Sequence, residues 1–444
     1  MHRRIPLYSC LVGVLWLGAC ADDERNVFDA AADFEAPQLT SFSVSTRADG
    51  TVVASWEASE PVHAVVEWGS TADALHQHSY SIGRAYETSG SVRLLAPAST
   101  TEYAYAVRLT DRAGNEASQF VESTPTFTTE DVVTEPLFEF VMIDVGWGDA
   151  LYLESPDGRK ILVDAGHPQD GQIVREFFAS RGITHLDVAS MTHVHNDHIG
   201  GYYGDDFSGR PGVFNARGQG ADIPATYFLD ILNKTPNTTE NPYADLQDEV
   251  QRLSTMTPLY LETGASSSSF EVPEALNWGA GVQVDLLAAG RKDFLYPNGA
   301  PPDLGSVQNN DSMIWRVQYG AFVLLLMGDG EFATEQFLED HWPHEFLQAT
   351  VHKLGHHGSN DSNSERFLAI TSPQVALVTN SVLENPGVMH PYVLERVRNL
   401  GADYYASDRA IPNRDRALPG VRGDIHIYTD GECFTVSAQR IRFE

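Results

Sequence analysis

Two regions of different class are predicted, an all-β segment over residues 36–130 and an α/β segment over residues 135–444. Residues 62–68 alternate: Val62, Ala64, Val66 and Trp68 fall on one face, His63, Val65 and Glu67 on the other, the period of a half-buried strand. Beyond Pro136, apolar runs of four to eight residues are separated by helix-period patterns, the texture of an α/β domain. The length, 444 residues, also exceeds the roughly 100–200 residues of a single domain.

In the first region Tyr103, Tyr105, Val107 and Leu109 repeat the alternation. Ala48-Asp49-Gly50 and Arg112-Ala113-Gly114-Asn115 supply turns between the apolar runs. Trp56 on an early strand and Tyr103 entering a late one suit a β-sandwich. His63, His76 and His78 read as surface histidines. Thr134 to Pro136 reads as the joint. In the second region strands are expected at Phe138–Ile143, Lys160–Val163, Leu186–Met191, Phe322–Met327 and Val375–Thr379, with helices near 171–181, 243–254, 331–340 and 392–400. Residues 203–312 are rich in Gly, Pro, Asn and Ser and are expected to carry long loops, where substrate contacts concentrate.

Hydrophobic content of 42% and charged content of 20% exclude a disordered chain and a multispanning membrane protein. The formal charge of −32 divides into −10 before residue 134 and −22 after it, so it is not an acidic tail. Such a surface does not hold polyanions by non-specific attraction. At the N-terminus, His2-Arg3-Arg4 precedes an apolar stretch from Ile5 to Leu17, shorter than the roughly 20 residues of a membrane span. It reads as a signal peptide over residues 1–19. Leu17-Gly18-Ala19-Cys20 resembles the bacterial lipobox, which implies a lipidated Cys20, a tether over residues 20–35 and a cell-envelope location. Ala21 in place of aspartate favours the outer membrane by the same resemblance, and the alternative is ordinary cleavage and secretion. Removal of residues 1–19 leaves Cys20 and Cys433, which excludes a disulfide framework and a cysteine metal cluster.

The densest chemical signal is Thr192-His193-Val194-His195-Asn196-Asp197-His198, directly after an apolar run. His193 and His195, two apart on extended chain, point the same way. Asp197 and His198 begin the next turn, can face a second metal, and are followed by Gly200-Gly201, which permits close packing. Imidazole with carboxylate suits Zn, Mn or Fe. Leu324-Leu325-Leu326-Met327-Gly328-Asp329 ends a buried strand in an acid that needs a charge partner, unless it merely caps the next helix. Lys353-Leu354-Gly355-His356-His357-Gly358-Ser359 holds adjacent histidines, which in extended chain face opposite ways, so one metal ligand is expected there. His356 is favoured, with His357 close behind. Lys353 reads either as a phosphate contact or as a surface lysine, and His390 either as a site residue or as a surface cap before Pro391.

His193, His195, Asp197 and His198 match the H-x-H-x-D-H signature that this sequence shares by resemblance with the metallo-β-lactamase superfamily. The resemblance implies an αββα sandwich in which His193 and His195 bind a first divalent ion and Asp197 and His198 a second. Asp329 would bridge them, and the ions would be two of Zn or Mn. FVMIDVGWGDALYLES, NNDSMIWRVQYGAFVLLLMGDGE and KLGHHGSNDSNSERFLAITSPQVALVTNS resemble the ComEC-type branch, which includes hydrolase domains of DNA-uptake proteins, and phosphorylcholine esterases share the general pattern. Asp164 matches a structural aspartate that orients ligands. Asp144 and Asp149 match a motif whose role the sequence leaves open, and Trp147 stands where related sequences more often carry glutamine.

The resemblance implies a further histidine ligand between the first motif and Asp329, but no histidine occurs from Ile199 to Gly328; Asn310 or Asp311 could approach the first metal, and His390 or the second histidine of the pair could complete it. TVVASWEASEPVHAVVEWG and TEYAYAVRLTDRAGN resemble a fibronectin type III domain. The expected function is a membrane-anchored hydrolase of phosphodiesters, DNA among them, with Asp197, Lys353, His357 and His390 as candidate catalytic residues. Arg409, Arg414, Arg416 and Arg422 are the candidate basic cluster. Small envelope phosphodiesters or esters are the alternative substrates, and a non-catalytic surface-binding module is the alternative of another class.

Overall fold

A computed structural model describes residues 33–95, 103–120, 136–231, 242–268, 274–290, 307–379, 390–407 and 423–438. The expected signal peptide, Cys20, most of the tether, Thr134 of the joint and the Arg409–Arg422 cluster lie outside the described residues. No helix among the described residues is long and apolar enough to cross a membrane.

The N-terminal region consists of strands β1 (Leu39–Thr46), β2 (Val52–Gly69), β3 (Gln77–Ser81), β4 (Glu87–Arg93), β5 (Ala104–Asp111) and β6 (Glu116–Phe120). β2 is long enough to pair with four strands. Its first half pairs antiparallel with β1 and β4, the register shifts between Glu57 and Val62, and its second half pairs with β3 and β5. Val62, Val66 and Trp68 face a core with Trp56, Tyr103, Tyr105 and Leu109, and Tyr103 meets Trp68 edge-on at 5.0 Å.

The remaining strands are β7 (Phe138–Met142), β8 (Leu151–Glu154), β9 (Lys160–Val163), β10 (Leu186–Ser190), β11 (Gly204–Asp205), β12 (Arg210–Pro211), β13 (Ala225–Ile231), β14 (Thr257–Leu261), β15 (Val282–Ala288), β16 (Ile314–Tyr319), β17 (Phe322–Leu326), β18 (Val351–Lys353), β19 (Val375–Val378), β20 (Asp403–Ala406), β21 (Ile425–Thr429) and β22 (Cys433–Ser437). One sheet runs β14-β13-β10-β9-β8-β7-β21-β22 and a second runs β15-β16-β17-β18-β19-β20, so the α/β class expected from the sequence is the class observed. The two sheets share a core: Phe140, Leu151, Leu162 and Val188 from the first meet Val284, Trp315, Leu324 and Val351 from the second. Each fully buried aliphatic side chain there contributes about 1.5–3 kcal/mol.

Period two then divides β17 between layers. Leu324 and Leu326 point into this core, whereas Leu325 and Met327 join Phe337, Leu338 and Phe367 beneath the helices Phe332–His341 and Glu365–Thr371. The helix Gly171–Ser180 covers the outer face of the first sheet, with Phe177 and Phe178 against Tyr152 at 5.4 and 5.8 Å. Helices outside two facing sheets make the αββα order.

The first sheet does not stop at the joint. β22 pairs antiparallel with β3 from Cys433↔Ser81 to Ser437↔Gln77, so β3, β2, β5 and β6 extend the first sheet of the C-terminal region. Tyr80 stacks on Phe434 at 4.7 Å, and its hydroxyl reaches Asp403 and Tyr405 at 2.5 and 2.6 Å. His78, expected at the surface, is buried in this seam, and His63 is half-buried beside Arg84 and Arg108. The strand pairing covers what alternation alone left facing outward.

Candidate metal centre

Strand ends deliver the polar residues. Asp164 follows β9, Thr192–His198 follows β10, Asp329 follows β17, His356-His357 follows β18 and Thr379 follows β19, so the group gathers at the carboxyl ends of neighbouring parallel strands. The helix Asn196–Tyr203 starts inside the first motif and brings Asp197 and His198 onto its first turn. Gly201 is required because a Cβ there would stand 1.8 Å from the Ala165 carbonyl oxygen. At Gly148 (φ 125°) a Cβ would stand 2.5 Å from the Asp197 carbonyl oxygen, so the Gly146–Asp149 loop closes against the motif only with glycine.

Two donor groups share one carboxylate. Asp197, His198, Asp329 and His357 form the first group, and His193, His195 and Asp329 the second. His198 Nε2 lies 3.2 Å from Asp329 Oδ2 and 3.8 Å from Asp197 Oδ2. His357 Nε2 lies 3.3 Å from Asp197 Oδ2 and 3.5 Å from Asp329 Oδ1. In the second group His193 Nε2 is 3.0 Å from His195 Nδ1 and 3.7 Å from Asp329 Oδ2. Four donors placed about 2.0–2.1 Å from one zinc-sized ion stand about 3.3 Å from each other, so these separations fit the edges of such a tetrahedron. Among the described residues His198 Nε2 and Asp329 Oδ1 are buried with no hydrogen-bond partner, as donors reserved for a cation would be.

The backs of the imidazoles are occupied. Asp164, held at φ 60°, places Oδ2 2.8 Å from His198 Nδ1 and accepts from the Thr192 hydroxyl at 2.7 Å. Thr192 Oγ1 also lies 3.1 Å from His193 Nδ1. Burial holds His193 well below the ordinary histidine range. Burial opposes protonation of His198 as well, but Asp329, Asp197 and Asp164 outweigh it and raise its pKa. For Asp329 burial works upward, and the neighbouring histidines, His198 foremost, pull it well below the usual carboxylate range. A cation in the centre would take over that charge compensation.

The structure separates the paired histidines in an unexpected way. His356 (φ 46°) and His357 (φ 50°) are both left-handed, so the extended geometry that would send them to opposite faces does not apply. His357 faces the donor group, whereas His356 Nδ1 lies 2.9 Å from Asp361 and 3.7 Å from Glu331, in a separate group beside it. Burial opposes protonation of His356 but Asp329 and Asp361 raise its pKa to about 9.

Lys353 is neither a surface residue nor exposed to substrate: it is fully buried, and its Nζ is 3.0 Å from Asp149. His390 stands outside both donor groups and caps the helix Pro391–Asn399 by accepting from the Tyr392 amide at 3.4 Å. Asn310 is turned away from both groups: its amide donates to the buried Glu331 carboxylate at 2.9 Å and accepts from Thr334, so its polar atoms are engaged there. Asp311 is buried and belongs to neither group. Asp144 shapes its own loop, accepting from Gly146 at 3.2 Å.

Residues passed over in the sequence are Thr379, Glu331 and Asp361. Thr379 carried one usable signal, its place after the buried run of β19, which parallels Thr192 after β10. Trp147 lies at the rim, its ring 5.4 Å from His167 and 6.0 Å from His357.

No protein-family model matches the chain. ComE operon protein 3 of Bacillus subtilis (strain 168) is 24% identical over 271 residues, covering 57% of this chain. The chain spans 29% of that relative's length. Among solved structures, a diphosphatase from the PhnP family is similar with a TM-score of 0.29 and 14% identity, over 54% of this chain and 85% of its own. A long-form RNase Z from yeast gives a TM-score of 0.32 and 9% identity, over 72% of this chain and 48% of its own.

Proposed function

We propose that this chain is a metal-dependent hydrolase of the metallo-β-lactamase fold that cleaves phosphodiesters with two divalent ions, zinc or manganese, held on either side of Asp329. The observation that carries the reading is the pair of donor groups sharing that buried carboxylate, with donor separations of 3.0–3.8 Å. His193 and His195 would hold one ion, and Asp197, His198 and His357 would hold the other. When bound, such ions supply hydroxide at neutral pH and neutralise charge on a phosphoryl group. The protein's own part is orientation. Asp164 and Thr192 hold His198 and His193, the Gly148 loop packs on the Asp197 main chain, and burial keeps bulk water off Asp329.

The B. subtilis similarity supports a ComEC-like hydrolase region, and the lipobox-like Cys20 supports attachment to the cell envelope by lipid. DNA is the leading substrate. One observation favours small envelope phosphodiesters instead: a 310 Å³ cavity beside Asn196 is lined by Asp205, Asp206 and Asp245 and by the exposed Phe207, a wall that repels a long polyanion.

The test is degradation of plasmid and single-stranded DNA by the full chain with Mn²⁺, with EDTA and Asp197→Ala controls. Cleavage abolished by both controls is the expected result. Intact DNA in the presence of folded, metal-loaded protein overturns the DNA assignment and leaves small phosphodiesters to be assayed.

A further inference from the structure

Asp149, Lys353 and Thr379 lie far apart in the sequence and in neither group of proposed metal donors, yet they meet behind one of those donors. All three are fully buried, as is His357. His357 Nδ1 lies 2.9 Å from Thr379 Oγ1, Thr379 Oγ1 donates to Asp149 Oδ1, and Lys353 Nζ stands 3.0 Å from Asp149 Oδ2. The remaining Lys353 bond goes to the Leu354 carbonyl at 3.0 Å.

The chemistry gives this chain of contacts a direction. A carboxylate paired with an ammonium only accepts hydrogen bonds, so the Thr379 proton points to Asp149 and a Thr379 lone pair is left for His357. The Nδ1 of His357 therefore carries the imidazole proton. Its Nε2 lone pair faces Asp197 and Asp329. Lys353 comes from β18 and Asp149 from the loop before β8, so the pair also ties the two sheets together at this point. Removing a lysine and an aspartate from water costs several kcal/mol each, and well-packed apolar residues would fill the same space without that cost. The orientation of one imidazole is what the apolar alternative could not provide.

We propose that Lys353, Asp149 and Thr379 form a positioning chain for His357, and that this chain makes the Asp197–His198–His357 position the tighter of the two metal positions. The proposal rests on the dinuclear reading given above. That position has three donors besides Asp329, whereas among the described residues the other has His193 and His195 besides Asp329. His198 is fixed from behind by Asp164, as His357 is by Thr379. Occupancy of the weaker position then follows the supply of divalent metal, while the tighter one stays filled.

The test is a Zn²⁺ titration of the metal-stripped full chain against a chromophoric chelator, with Lys353→Met and Thr379→Val in parallel. Thr379→Val removes one hydroxyl without leaving a buried charge unpaired, so it reports even if Lys353→Met fails to fold. Two classes of site are expected in the wild type. Each folded variant should weaken the tight class by about 10–100-fold and leave the weak class in place, the usual effect of removing a partner behind a metal ligand. A merely structural role would lower the melting temperature and leave both affinities unchanged. Two equal classes, an unchanged tight class in folded Thr379→Val, or a change confined to the weak class overturns the positioning chain while leaving the hydrolase reading intact. A wild type that binds no zinc overturns the dinuclear reading itself.

Discussion

Buried charge is handled in opposite ways at the seam and at the centre. At the seam Arg108, on β5, meets Asp403, with Glu67 at 3.5 Å and Glu116 at 3.7 Å, and Tyr80 donates to the same Asp403. The carboxylates raise the Arg108 pKa against the effect of burial. At the centre, Asp149, Asp164, Asp197 and Asp329 are all buried, and the ion pair with a basic side chain other than histidine is Lys353–Asp149. Among the described residues His198 Nε2 and Asp329 Oδ1 there have no hydrogen-bond partner, and neither has Arg108 Nε at the seam. The seam sets one guanidinium among three carboxylates, whereas the centre sets four buried carboxylates against one ammonium and the imidazoles.

The comparison breaks most decisively at Asp329. Asp329→Asn is expected to lower hydrolysis by about 1,000-fold or more, about 4 kcal/mol in the barrier, and to reduce bound metal as measured by elemental analysis. Next comes Arg108→Met, which strands Asp403 in the seam. Denaturant unfolding should show a loss of about 3–5 kcal/mol, with metal content unchanged. A seam variant that also lost metal would show the two regions to be one energetic unit.

Glu335 sharpens the comparison by pH. It is buried without a basic partner and accepts from the Asn363 and Ser364 amides; burial pushes its carboxyl from 4.5 up to about 7. Between those values the folded protein keeps a proton that the unfolded chain has lost, so its contribution to stability falls as pH rises through that window. Glu335→Gln should melt a few degrees above the wild type at pH 8 and together with it at pH 4. Equal melting temperatures at both values would show that this burial carries no penalty.

His357→Ala against His356→Ala is the next smaller contrast. The first should lose one metal equivalent, and the second should keep both. The smallest effect is expected at His390, whose replacement by alanine removes a helix cap worth about 1 kcal/mol and leaves metal content unchanged.

How far the sequence was legible depended on distance along the chain. The helices near 171–181, 243–254, 331–340 and 392–400 are present at Gly171–Ser180, Pro242–Arg252, Phe332–His341 and Pro391–Asn399, because amphipathic periodicity is a local property. The motif from His193 to His198 was readable because its donors are contiguous. His356 and His357 were not separable, since no local pattern announces left-handed backbone at both residues. Lys353 is neither the phosphate contact nor the surface lysine that the sequence allows, because a lone lysine gives no sign of a partner roughly two hundred residues earlier in the chain.

By itself, the sequence determined the α/β class, the run from His193 to His198, and the acid that ends β17. Each of these is a pattern within a few residues. The tertiary structure alone decided that β3 continues the sheet of β22, that His357 and not His356 faces Asp197, and that Lys353 serves Asp149. Those outcomes depend on which strand ends meet, and a buried charge or an open sheet edge takes its partner from whatever the fold brings within reach.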